Sequence, residues 1–157
     1  MTENDKRLDH LVHLVEINKD SEEGFLAAAK NIRNSELESQ FTDYARQHAR
    51  FAVELQTEIA KLGGNPPEHG TASGAVHRGW MDLKSALTGN SSSAILSSCE
   101  SGEASALAAY DQAEADISSG KVFTLLQKQR QQITGFWTRI ERLIGEIRDG
   151  VEFPQNE

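Results

Sequence analysis

Residues 37–62, LESQFTDYARQHARFAVELQTEIAKL, decide the fold. Their large apolar side chains recur at spacings of three and four, or sums of these, which is the pattern of one face of an α-helix. The members of this stripe are Leu37, Phe41, Tyr44, Phe51, Leu55, Ile59 and Leu62. His48 stands on the same stripe, so we expect an imidazole inside the protein.

The positions of the prolines predict helices in the rest of the chain as well. They occur only at 66, 67 and 154, and proline costs about 3 kcal/mol in a helix interior. The proline-free segments carry three further apolar stripes, and they predict four long helices at about 5–33, 35–62, 94–118 and 121–149. Ser35 with Glu38 fits a capping box at the start of the second helix, and Gly63-Gly64 is a typical stop at its end.

The segment between the second and third helices is unusually long. A chain of 157 residues is the size of one domain, and antiparallel neighbours need only a few connecting residues. The crossover at 63–93 therefore predicts that helices 2 and 3 are parallel, as in a ferritin-like four-helix bundle over residues 1–157. Val76, Trp80, Leu83 and Leu87 predict a short helix in this crossover, with Trp80 anchoring it on the bundle.

Three polar residues interrupt the apolar stripes at matching levels: Glu22, His48 and Glu103. Di-metal sites in ferritin-like bundles take two single glutamates and two Glu-x-x-His pairs. Here Ala45 stands three residues before His48, and the matching pair on the last helix is Thr134 and Trp137. We expect the Trp137 indole to fill the space of a second metal, so the sequence indicates a degenerate di-metal centre.

The favoured interpretation of Glu22, His48 and Glu103 is a buried polar network, because a buried charge is costly unless paired. The alternatives are a mononuclear or labile site for iron, manganese or zinc, and residues that face solvent. Tyr44 and Tyr110 are expected to be core aromatics with hydrogen-bonded hydroxyls rather than redox tyrosines. No phosphate loop, nucleophile elbow or Ser/His/Asp spacing occurs, so no catalytic residue and no cofactor is expected.

Charge, hydropathy and cysteine content indicate the compartment of the protein and argue against two classes of partner. The chain has 24 acidic and 16 basic residues, which argues against nucleic acid binding. No apolar run is long enough to cross a membrane, and the charged start MTENDKRLDH lacks the apolar region of a signal peptide. Cys99 is the single cysteine, and a cytoplasmic location is the default expectation. A homodimer is an open alternative, and no protein partner is indicated.

Four segments carry a family resemblance: LVEINKDSEEGF, FAVELQTEIAKLGGNP, HRGWMDLKSALTG and CESGEASALAAYDQA. Together they resemble a bacterial ferritin-like family, the domain of unknown function DUF2383, over about residues 8–148. The resemblance implies a ferritin-like fold and a small cytoplasmic, stress-associated protein, and it implies no particular activity. We therefore expect a non-catalytic structural or stress-associated binding protein. The alternative is a metal-binding redox or metal-buffering protein that uses Glu22, His48 and Glu103.

Overall fold

Four long helices and one short helix make up the described part of the chain. The computed structural model describes residues 2–67, 80, 82–89 and 91–150. The helices are α1 (Glu3–Asn31), α2 (Ser35–Lys61), α3 (Leu83–Gly89), α4 (Ser92–Asp116) and α5 (Gly120–Arg148). No strand occurs within these residues, which confirms the all-α prediction.

The helix ends are set by local capping, and those of the four long helices lie within two residues of the predicted positions. Thr2 and Asp5 form a capping box that starts α1 earlier than predicted. The capping box predicted at Ser35 and Glu38 is wrong: Asn34 is the cap of α2, and its side chain accepts a hydrogen bond from the Leu37 backbone N–H. Asn34 takes this position because its extended backbone and short side-chain oxygen satisfy an otherwise unpaired N–H.

Pairs of contacting residues give the helix directions. On α2 and α5, Tyr44 stacks on Phe136, and the Phe51 carbonyl accepts a hydrogen bond from Gln129, so these two helices run in opposite directions. The same holds for α4 and α5, where Tyr110 contacts Gln129 and residue 100 contacts residue 137. Since α2 and α4 are both antiparallel to α5, they are parallel to each other.

The connection from α2 to α4 contains the short helix α3, in the place where the sequence predicts one. Leu83 is buried and Leu87 is half-buried, whereas Val76 lies outside the described residues. Trp80 is 8% exposed, and its ring packs edge-on against Phe25 with the centroids 5.2 Å apart. The predicted anchoring of the crossover by Trp80 is thus confirmed.

Two glycines make room for the indole of Trp80. Gly24 on α1 and Gly102 on α4 are both buried, and a Cβ at either position would overlap ring atoms of Trp80. Glycine in a helix interior costs about 0.5–1 kcal/mol relative to alanine. Here the two glycines allow a large apolar ring to pack between two helices. We call Gly24, Trp80 and Gly102 the tryptophan slot.

Among the described residues, none of the helices combines the length and hydropathy needed to cross a membrane.

Candidate functional site

A chain of hydrogen-bonded polar side chains crosses the interior of the bundle, with at least one member from each long helix. We call it the polar network, and its members are Asn18, His48, Glu54, Glu103, Tyr110 and Gln129. All are buried except Glu54, which is half-buried. The network therefore joins a solvent-excluded interior to the rim of the bundle.

His48 lies in the innermost part of the network, between Asn18 and Glu103. Its Nδ1 lies 2.7 Å from Asn18 Oδ1, and its Nε2 lies 2.9 Å from Glu103 Oε2. The Asn18 amide nitrogen donates to the Leu14 backbone carbonyl and to the Tyr110 hydroxyl oxygen, both at 2.8 Å. Three long helices, α1, α2 and α4, are thus joined through one imidazole and one amide.

Gln129 stands at the outer end. The Tyr110 hydroxyl donates to Gln129 Oε1 at 2.6 Å. Gln129 Nε2 in turn donates to the Phe51 backbone carbonyl at 3.3 Å and to Glu54 Oε1 at 3.2 Å. These bonds attach α5 to α2 and α4.

Two backbone carbonyls fix the direction of each hydrogen bond in the network except the one between His48 and Glu103. A carbonyl only accepts, so Leu14 and Phe51 determine which amide atom of Asn18 and of Gln129 is the nitrogen. The remaining Asn18 atom, Oδ1, is an acceptor, and His48 Nδ1 must therefore carry a proton and donate it. One further proton then lies between His48 Nε2 and Glu103 Oε2, whether the pair is written as two ions or as two neutral groups.

Aromatic rings surround the imidazole and keep water away from it. The centroids of Phe25, Phe51 and Phe136 each lie 5.8 Å from that of His48; Phe25 is stacked and the other two are edge-on. Burial raises the pKa of Tyr110 well above its usual range. Its hydroxyl therefore stays protonated at physiological pH and can serve as both acceptor and donor, which confirms the sequence-based expectation for Tyr110. Tyr44 differs: it is half-buried, it packs against Phe136, and its hydroxyl forms no hydrogen bond within the described residues.

The structure brings two of the three predicted site residues together. His48 and Glu103 are both fully buried and in direct contact. Glu22 is half-buried on α1, and it takes part in none of the hydrogen bonds or ion pairs of the described residues. Asn18, one turn earlier on the same helix, is the α1 residue that contacts His48.

Sequence reasoning missed Asn18 and Gln129 as members of the network. Asn18 lies on the apolar stripe of α1 and Gln129 lies between the apolar residues Leu126 and Ile133 of α5, so a polar residue on an apolar face was the available signal. Carboxylates and imidazoles on an apolar stripe indicate a metal site because they bind metals, whereas an uncharged amide there indicates no particular chemistry.

The donor set does not fit a ferritin-type di-metal centre. Both ring nitrogens of His48 already bond to protein atoms, and the position three residues earlier is Ala45, which is 1% exposed. Within residues 2–67, 80, 82–89 and 91–150, no group of three or more His, Cys, Asp or Glu side chains is arranged to hold a metal ion. One donor atom is spare: Glu103 Oε1 is shielded from solvent and has no hydrogen-bond partner among the described residues.

The prediction for the facing side of α5 needs correction. Phe136, not Trp137, contacts the imidazole, and Trp137 donates from its indole nitrogen to Glu100 at 3.1 Å. Thr134 is exposed, and its hydroxyl donates to the Arg130 backbone carbonyl of its own helix. The apolar stripe that the sequence predicts for this helix, with Leu126, Ile133, Phe136 and Ile140, takes the inward face, and Trp137, which is not on that stripe, is only half-buried.

Comparison with known proteins gives one family. The sequence model described as "Domain of unknown function (DUF2383)" matches residues 6–116, and the chain belongs to that family. No curated protein matches the chain.

Proposed function

We propose that this member of the DUF2383 family is a non-catalytic helical bundle, a structural or stress-associated binding protein. In this proposal the bundle is ferritin-like, and the place of its di-metal centre is taken by the polar network. The observation that carries the proposal is that both ring nitrogens of His48 already bond to protein atoms, Nδ1 to Asn18 and Nε2 to Glu103. An imidazole binds a metal through a nitrogen without a proton, and neither nitrogen is free to do so.

The energetics of the interior support the same proposal. A buried polar group without a partner costs about 1–3 kcal/mol, and nearly every polar atom of the network has one. Breaking the His48–Glu103 contact to admit a cation would leave protein donors and acceptors unpaired. The network is therefore best understood as a device that fixes how the four long helices meet.

A second candidate function is metal binding for redox chemistry or metal buffering, through Glu22, His48 and Glu103. The observation in its favour is the spare atom Glu103 Oε1, which is buried and without a partner in the described residues. A cation at this place would displace the proton shared by His48 and Glu103, and Glu22 would have to turn inward. Iron, manganese and zinc are the metals that this donor set suits.

Titration of the purified protein with Fe(II), Mn(II) and Zn(II), anaerobically for iron, separates the two candidates. We expect no saturable heat in calorimetry and no rise in melting temperature. A bound ligand at 100 times its dissociation constant would stabilise the fold by about 2.7 kcal/mol, which a thermal melt detects easily. Stoichiometric binding by the wild type that is lost in Glu103→Gln and retained in the surface control Glu36→Gln would overturn the proposal in favour of the metal site.

The cellular part of the proposal is a stress-associated role in the cytoplasm. The stress association follows from the family resemblance, and the cytoplasmic location is compatible with one buried free thiol, Cys99. Protein levels measured before and after heat, peroxide and starvation test the association, and constant levels under all three conditions would contradict it. Among the described residues the exposed large apolar side chains are Leu26 and Val53. Light scattering, which gives the mass in solution, distinguishes a monomer from a homodimer that buries these side chains.

A further inference from the structure

A polar pocket lies between α2 and α5 at the outer end of the polar network. It has a volume of about 300 Å³ and is lined by Arg50, Phe51, Glu54, Lys128, Gln129 and Gln132. Ligand pockets in proteins span about 300–1,000 Å³, so only a small molecule fits. The pocket shares Gln129 and Glu54 with the network, but it does not include His48 or Glu103.

Two of the lining residues, Arg50 and Lys128, are cations. Arg50 and Lys128 are exposed at the rim, and neither forms an ion pair with a described carboxylate. The guanidinium of Arg50 lies over the ring of Phe51, 5.8 Å from its centroid, which holds it at the pocket wall. In a chain with a net charge of -8, a pocket with two unpaired cations is a local site for an anionic group.

The same two helices also bring acceptors to the pocket, Glu54 from α2 and Gln132 from α5. Glu54 Oε1 accepts from Gln129 Nε2 at 3.2 Å, and Gln129 is itself held by the Tyr110 hydroxyl and the Phe51 carbonyl. Beside it, Gln132 Oε1 is shielded from solvent and has no hydrogen-bond partner in the described chain. A buried acceptor without a donor is destabilising, so a ligand that donates to it gains affinity.

We propose that this pocket binds a small zwitterion of the α-amino acid class. The carboxylate of the ligand pairs with Arg50 and Lys128, and its ammonium group donates to the Glu54 carboxylate and to Gln132 Oε1. A simple anion would leave the acceptors Glu54 and Gln132 without a donor, and a simple cation would leave Arg50 and Lys128 without an anionic partner. The inference goes beyond the proposed function and stands whether or not the protein binds a metal.

Calorimetric titration of the whole chain with L-serine, L-serinamide and L-glycerate tests the inference. L-Serinamide lacks the carboxylate, and L-glycerate has a hydroxyl in place of the ammonium group. We expect L-serine to bind with a dissociation constant in the millimolar range or below, and each analogue to bind at least about tenfold more weakly because a charge-assisted bond is lost. Absence of saturable serine binding, or equal affinity for L-glycerate, would overturn the inference.

Variants locate the binding. Arg50→Gln, Lys128→Gln and Glu54→Gln should each weaken serine binding by about tenfold or more. The matched controls are Arg46→Gln on α2 and Lys121→Gln on α5, both exposed and outside the pocket, and these should change the affinity by less than about twofold. Thermal melts establish that each variant is folded. If Arg50→Gln and Lys128→Gln bind serine as tightly as the controls do, serine binds elsewhere and the inference is wrong.

Discussion

The tryptophan slot and the polar network are two neighbouring parts of the same interior, and they hold the helices together by different means. In the slot, Trp80 fills a space that exists because Gly24 and Gly102 have no side chain. In the network, His48 and its partners meet through hydrogen bonds that require a donor opposite each acceptor. The slot is governed by shape and the network by donor and acceptor chemistry. The two should therefore respond differently to the same kind of substitution.

The largest expected effect is the loss of the indole. Trp80→Ala should lower the free energy of unfolding by about 3–5 kcal/mol, the range for large-to-small changes in a core. Urea denaturation of the wild type and the variant measures it. A loss below about 1 kcal/mol would mean that the crossover does not depend on Trp80. It would contradict the claim that packing in the tryptophan slot stabilises the fold.

The network should respond to chemistry rather than size. His48→Leu keeps much of the volume, but it leaves Asn18 Oδ1 and Glu103 Oε2 without partners, and we expect a loss of about 3 kcal/mol. Glu103→Gln should cost less than about 1 kcal/mol, because the amide nitrogen can donate to His48 Nε2. Chemical denaturation of both variants decides this. A Gln variant as unstable as the Leu variant would contradict the hydrogen-bond directions described above.

The slot should reject even one methyl group. Gly102→Ala places a Cβ within the volume of the indole, and we expect a loss of about 1–3 kcal/mol from overpacking. Gly135→Ala on α5 is the matched control: it also lies inside a helix, but no atom lies within 4 Å of its added Cβ. That control should gain about 0.5–1 kcal/mol. Similar thermal melts for the two variants would show that the glycines do not serve the indole.

The smallest effect concerns a surface pair that contrasts with the buried Glu103. A hydrogen bond with Glu100 raises the pKa of Glu141 above its ordinary value of 4.5. The folded protein then holds this proton more tightly than the unfolded chain. The resulting stabilisation is present below pH 4.5 and disappears as the pH rises through the folded pKa. Urea denaturation at several pH values should show this small decline in the wild type and its absence in Glu141→Gln, and an identical pH dependence in both would contradict it.

The sequence predicts the helices well because apolar periodicity and proline positions are local signals. It also places His48 and Glu103 at one level, since their distances from the turns follow from the rise per residue. The place of the Trp137 indole could not be predicted as well, because Phe136 and Trp137 are adjacent aromatic residues near the level of His48, and either could be expected to fill the space beside it. The choice of Asn18 as the partner of His48 depends on side-chain directions that only the packed helices define.

The cap of α2 shows a further limit. Asn34 and Ser35 are both favourable cap residues, and Ser35 with Glu38 fits the capping-box pattern. In the structure the cap is Asn34, one residue earlier. No local sequence rule distinguishes these two candidates. The glycines of the tryptophan slot show the same limit, because the sequence contains Gly24 and Gly102 but does not show that Trp80 packs against both.

The protonation state of His48 tests the central claim most directly. Long-range proton–nitrogen correlation NMR on the folded protein reports which ring nitrogen of His48 carries a proton. The account predicts a protonated Nδ1, with both nitrogen shifts unchanged when Zn(II) is added, because Asn18 and Glu103 occupy the ring. An unprotonated Nδ1, or a shift of Nε2 to the position of a zinc-bound imidazole, would contradict it.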